Sequence, residues 1–160
     1  TTAYEIPLRL VGSEMCIRDS DSSSGVFPTT DFVSATEPDG DSTETVYVTR
    51  RVTLKNPATA LKVLHTAVRF SNAEIQLMYK ILRSDDESDF DELGFRFFNT
   101  TGGPDVTTND STTNDDFIEY EYTEDGLEEF TAFAIKIRMQ SSNSSQPPRV
   151  KDLRAIALAT

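Results

Sequence analysis

The sequence predicts an all-β protein: an antiparallel β-sandwich, jelly-roll-like, built as a single domain. Three observations lead there. Apolar residues alternate with polar ones in six to eight short segments, the period of half-buried strands. Polar loops rich in Gly, Pro, Asn, Asp and Ser separate those segments. No segment sustains a helical period. The nearest is Ala58 to Val68, where Leu61, Leu64, His65 and Val68 fit the i, i+3, i+4, i+7 pattern. There Val63, Thr66 and Phe70 favour a strand instead.

Residues 1–20 need separate treatment. Leu10 to Asp19 reads LVGSEMCIRD, and Thr2-Ala3-Tyr4-Glu5-Ile6 precedes it. The two runs resemble the two parts of a translated transposase-type sequencing-library adapter. Pro7, Leu8 and the start of Arg9 fall where a variable sample index sits. Thr1 departs from the pattern, which would give Lys. The resemblance implies a non-native leader over 1–20 that makes no stable contact with the domain, and processing scars are set aside before fold reasoning. Residues 21–45, with Pro28, Pro38 and Asp39-Gly40-Asp41, read as a linker or approach loop. Val26-Phe27 and Asp31-Phe32-Val33 suit a short edge strand. The β-sandwich domain is expected over 46–160.

The chain carries 15 basic and 27 acidic side chains, a net charge of −12. Without the leader, 13 basic and 24 acidic remain, a net charge near −11. Such a surface disfavours nucleic-acid phosphates and anionic membranes as partners. No apolar run approaches the ~20 residues that span a bilayer. The one cysteine, Cys16, lies in the leader. Beyond it, disulfides, zinc–thiolate sites and a cysteine nucleophile are excluded.

The elements follow in order. Val46, Val48, Val52 and Leu54 alternate as one strand ended by Asn56-Pro57. Arg50 shares their parity and is expected to point inward unless a bulge shifts the register, with Asp152 or a strand-end carbonyl as partner. Leu61, Val63, His65 and Ala67 share one face of a second strand, and Leu64, Val68 and Phe70 the other. Ile75, Leu77, Tyr79 and Ile81 form a third, joined to the second by a short polar turn at Ser71-Asn72 that suggests a hairpin-type pair. Leu93, Phe95 and Phe97 form a short fourth. Residues 99–115 read as a long surface loop. Ile118, Tyr120 and Tyr122 face one way on the next strand. Phe133, Ile135, Ile137 and Met139 mark the clearest strand, opposed by Ala134, Lys136 and Arg138. Val150 to Ala159 closes the domain.

Candidate chemistry is sparse, and no catalytic residue, cofactor or metal site is assigned. His65 is the only histidine and sits at a core parity, which suits a satisfied core or rim residue better than a triad member. Asp85, Asp86, Glu87, Asp89, Asp91 and Glu92 form an acidic loop that could offer oxygen ligands to calcium, but it lacks the turn Gly and flanking helices of an EF-hand. The cluster Asn109-Asp110 with Asn114-Asp115-Asp116 has the same two readings. Glu119 and Glu121 stand two residues apart on one strand face, roughly 7 Å, within the range of glycosidase carboxylate pairs. Gly102-Gly103-Pro104 lacks the Lys and helix of a phosphate loop.

The blocks YVTRRVTL (47–54), LKV (61–63), EIQLMYKIL (74–82), NDDFIEYEYT (114–123), FAIKIRMQSS (133–142) and PRVKDLRAIAL (148–158) together resemble the C-terminal domain of virion structural proteins from T4-like marine myoviruses, the cyanophages. The resemblance covers 46–158. It implies a tail, baseplate or fibre-associated component of the virion, assembled in the cytoplasm of a bacterial host, with no catalytic residues. Expected partners are other phage structural proteins, including a homo-oligomer, with Leu64, Val68 and Phe70 as candidate contact residues. A carbohydrate-binding or receptor-binding module is the alternative, with Tyr120, Tyr122, Phe98 and Phe117 as candidate stacking residues for a glycan. An enzyme ranks last, because the acids are scattered and no convergent site forms.

Overall fold

A computed structural model describes residues 3–6, 15–16, 45–141, 143 and 146–159. The linker expected over 21–45 lies outside them, save Thr45, as does its suggested edge strand.

The structure is all-β and antiparallel throughout. Ten strands are described: β1 (Ala3–Ile6), β2 (Met15–Cys16), β3 (Thr45–Val48), β4 (Val52–Ala58), β5 (Ala60–Val68), β6 (Ala73–Arg83), β7 (Arg96–Phe97), β8 (Ile118–Glu124), β9 (Phe130–Ser141) and β10 (Arg149–Leu158). One sheet has the order β1–β10–β5–β8, with β2 also on β10. The other has the order β3–β9–β6–β7, with β4 also on β9.

Alternation placed the core correctly in the long strands. Leu61, Val63 and Ala67 of β5, Ile75, Leu77 and Tyr79 of β6, Tyr120 and Tyr122 of β8, and Phe133, Ile135, Ile137 and Met139 of β9 form one buried cluster. Val150, Leu153, Ala155 and Ala157 of β10 complete it. The inward set of β10 changes parity between Val150 and Leu153. A bulge between Lys151 and Arg154, with Asp152 at φ 55°, accounts for this.

A second bulge corrects the reading of Arg50. Val48 lies opposite Lys136, and Val52 opposite Phe133. The edge chain thus holds one residue more than β9, and the extra residue reverses which face each side chain takes. Tyr47 and Thr49 point inward before it, Val52 and Leu54 after it, and Arg50 is exposed. Asp152 is not its partner. It lies on β10 in the other sheet, where it accepts a hydrogen bond from Thr66 Oγ1 (3.2 Å). Thr49 holds the bulge: its N–H donates to the Ile135 carbonyl (2.9 Å) and its Oγ1 accepts from the Ile135 N–H (3.0 Å). Thr49→Val keeps the shape but orphans that buried N–H, so a loss of about 1–3 kcal/mol is expected in urea unfolding. An unchanged midpoint would show that the bulge needs no side-chain anchor.

Other boundaries also differ from expectation. The strand runs through Asn56-Pro57 to Ala58, since Pro is tolerated on an edge. β5 and β6 are not a hairpin. They lie in different sheets, and the turn after Phe70 carries the chain across the sandwich. The fourth strand shrinks to Arg96–Phe97. Leu93 and Phe95 instead pack with Phe90 on the outer face of the second sheet, against Ala132 and Ala134. β1 and β2 pair with β10, so the leader does not stand clear of the domain as expected.

Candidate functional site

The sequence candidates fall mostly into structural roles. His65 is buried between Tyr120 and Tyr122, with ring centroids at 5.4 and 5.3 Å, and its Nε2 lies 3.2 Å from the Tyr122 hydroxyl. Burial drives its pKa down to about 3, the Thr66 backbone opposing weakly, so it is neutral at pH 7. Burial also raises the pKa of the Tyr122 hydroxyl.

Glu119 and Glu121 are exposed on β8, and each faces a base rather than the other: Glu121 pairs with Lys62 (2.6 Å) and Glu119 with Arg154 (3.0 Å). These are cross-strand pairs on a solvated sheet face. The acidic loop is a chain of local turns. Asp86 accepts from the Ser88 N–H, which together with the Ser88 side chain holds its carboxyl below the usual range. Asp89 accepts from the Asp91 N–H, and Asp85 pairs with Arg83. In the second cluster Asp110 pairs with Arg69, and Asp116 accepts from the Thr112 N–H. Among the described residues no three His, Cys, Asp or Glu side chains converge in a group that could hold a metal ion.

Three glycan-stacking candidates are inside. Phe98, Tyr120 and Tyr122 are at most 2% exposed, because the core claims their faces. Phe117 is half-buried, with Lys151 Nζ 3.7 Å from its ring centroid and the Arg149 guanidinium at 5.4 Å. Val68 and Phe70 are buried within the chain, so neither offers a contact surface, while Leu64 remains half-buried.

Gly102 belongs to a strap, not a phosphate loop. Its φ is +79°, and a Cβ there would meet Phe97 Cδ1 at 2.8 Å and Gln76 Cβ at 2.9 Å. Its carbonyl accepts from the Leu77 N–H on β6 (2.9 Å). Three residues on, the Asp105 N–H donates to Glu121 O, and its carboxylate accepts from the Thr123 N–H on β8. Partial burial pushes the Asp105 pKa up. Hydrogen bonds from Asn99 and Thr123 and the charge of Lys62 outweigh this and hold it low. The strap thus ties one side of the two sheets together.

A buried cation cluster went unread in the sequence. Lys80 and Lys136 sit on the outer face of the second sheet, 8% and 0% exposed. The Lys80 ammonium donates to Phe90 O (2.9 Å) and lies 4.5 and 5.1 Å from the Phe90 and Phe95 ring centroids. Lys136 lies 5.4 Å from Phe95. Burial lowers the Lys80 pKa, and Asp91 and Asp89 offset part of this. The signal was available: Phe90 lies within an acidic run and Phe95 just beyond it, and such bulky aromatics are more often buried than left in solvent. Beside this cluster lies a cleft of about 760 Å³, lined by residues including Lys80, Arg83, Asp86, Phe95, Arg96 and Glu128. Its lining mixes both charge signs and contains no acid–base pair with a nucleophile.

No protein-family model matches the chain, and no curated protein matches it. Solved structures do. A chain from a structure of infectious bursal disease virus, Gt strain, superposes over 98% of this chain with a TM-score of 0.50 at 9% identity. The fold is similar to that of a chain from a virus. A second match, the VP2 subviral particle of infectious bursal disease virus, covers 99% of this chain with a TM-score of 0.42 at 9% identity. This chain spans about a third of each, 32% and 33%.

Proposed function

We propose that this domain is a non-enzymatic structural module of a virion, a jelly-roll sandwich that assembles with other particle proteins. The observation that carries the reading is the likeness of nearly the whole chain to part of a chain in a virus structure. The strand order supports the jelly-roll form. One sheet runs β1–β10–β5–β8 and the other β3/β4–β9–β6–β7. From β4 onward, every connection but β6–β7 crosses between the sheets. That is the wrapping expected of two interlocked Greek keys. The finer reading, a tail, baseplate or fibre component of a T4-like marine myovirus, rests on the blocks from YVTRRVTL to PRVKDLRAIAL. In it, residues 1–20 are adapter-derived, 21–45 a linker and 46–160 the sandwich. The domain then acts in the virion, after assembly in the bacterial cytoplasm.

The glycan-binding alternative loses its aromatic platform, since only Phe117 of its four candidates stays partly accessible. An enzymatic reading finds its one histidine neutral in the core. A long-read sequence of the same locus tests the proposal. Virion-assembly genes are expected beside this one, with codons for residues 1–20 absent. A locus free of virus genes would overturn the reading.

A further inference from the structure

We infer that the cleft beside β7 is a binding site for a small amphipathic carboxylate, one acid group on an apolar body. β7 meets β6 only at Met78 and Tyr79. Over residues 80–83 the β7 side of β6 therefore has no strand beside it among the described residues. The cleft lies in that gap, between residues 93–96, which lead into β7, and residues 126–128, which precede β9. At about 760 Å³ it has the size of a small-molecule site, ~300–1,000 Å³. The open stretch of β6 is only about 13 Å long, short of the ~5–6 residues usual for a strand. Its far end is also closed, since Arg83 O already accepts from the Asp86 N–H. A small molecule fits this gap better than an added strand.

The lining supplies the chemistry. Ile81, Leu93 and Leu127 offer apolar walls, and Phe95 adds a ring. The charged groups are unequally committed. Arg83 pairs with Glu128 and Asp85, and Asp86 accepts from the Ser88 N–H. Arg96 is exposed, and its guanidinium makes no ion pair or hydrogen bond among the described residues. Lys80 is 8% exposed, and Phe90 O takes one of its three N–H donors. Among the described residues no carboxylate is in ion-pair reach of it. Asp91 and Asp89 act from farther off and offset only part of the burial that lowers its pKa. Arg96 stands opposite Tyr79, one residue from Lys80, so the two cations border the same end of the gap. Both lack an anion, yet the net charge of −12 repels simple anions. An apolar body resolves the conflict. It gains by burial against the walls, while its carboxylate meets the fork of Arg96 and the ammonium of Lys80.

Calorimetric titration of the full chain at pH 7 tests this with three probes. Octanoate has both parts, octan-1-ol keeps the tail without the charge, and acetate keeps the charge without the tail. Octanoate is expected to bind one-to-one, about ten-fold or more tighter than either of the others. Arg96→Gln should remove about that factor for octanoate and leave octan-1-ol unchanged, with Arg96→Lys recovering part of it. Gly94 lines the cleft, and a Cβ there meets nothing within 4 Å. Gly94→Trp therefore has room to fill the gap and should abolish binding. Urea midpoints check the fold of each variant. Equal binding of octanoate and octan-1-ol would overturn the inference. So would octanoate binding that both Arg96→Gln and Gly94→Trp leave unchanged, or its absence at about 1 mM. The inference does not rest on the virion reading, so the locus sequence and the titration fail independently.

Discussion

Acidification from pH 6.5 to 4.5 is expected to remove roughly 2 kcal/mol of stability through His65 alone. The folded pKa of about 3 lies below the ordinary value of 6.5, so in this window the unfolded chain takes up a proton that the folded one refuses. Stability is therefore full above pH 6.5 and falls as pH drops toward 3, by about 1.4 kcal/mol per unit. Asp86 and Asp105 have lowered pKa values and act in the same direction, but only below the ordinary carboxylate range. The window from 6.5 to 4.5 thus isolates the histidine. His65→Gln, which cannot titrate, should flatten the profile there even if it lowers stability overall. Urea midpoints at several pH values decide the matter. A His65→Gln profile as steep as that of the parent would mean the imidazole gains its proton without leaving the core.

Phe98→Ala is expected to cost about 3–5 kcal/mol, a large share of the ~5–15 kcal/mol typical of a domain. Phe98 is fully buried, 4.8 Å from the Tyr79 ring of one sheet and 6.0 Å from the Tyr122 ring of the other. Its removal opens a cavity between the sheets and loosens the strap, because Phe98 O accepts from the Gly102 N–H (2.7 Å). The half-buried Phe117, truncated in the same way, should cost far less. Thermal or urea unfolding of the two variants separates the cases. Equal losses would show that the strap does not depend on its aromatic anchor.

The two residues also mark what alternation can reveal. Leu61, Val63, His65 and Ala67 repeat at the strand period, so their common inward face was readable, and with it the core position of His65. Phe98 stands beside Asn99, which has a positive φ, in a turn with no period at all. Nothing local distinguishes it from an exposed loop aromatic, and only the space between the sheets does. Period two identifies a strand's faces but not its neighbours, which is why β5 and β6 looked like a hairpin. The Arg50 reading failed at one inserted residue, whose anchor, Thr49, gains meaning only opposite Ile135. Lys136 read as opposed to the core face of its strand, and nothing local marked it or Lys80 as buried; the excursion with Phe90 and Phe95 covers them both.

The wrapping of the strands also governs how the domain comes into being. Among the described residues, β6 and β7 are the only consecutive strands that pair, over two residues, while β5 waits for β8 and β10, and both β3 and β6 wait for β9. Almost no pairing can form early and locally, so loop-closure entropy must be met before most contacts return energy. On a ribosome, neither sheet can close until β9 and β10 have emerged. Folding is then slow, on the millisecond-to-second scale of non-local β proteins, and the half-made chain exposes unpaired edges throughout synthesis.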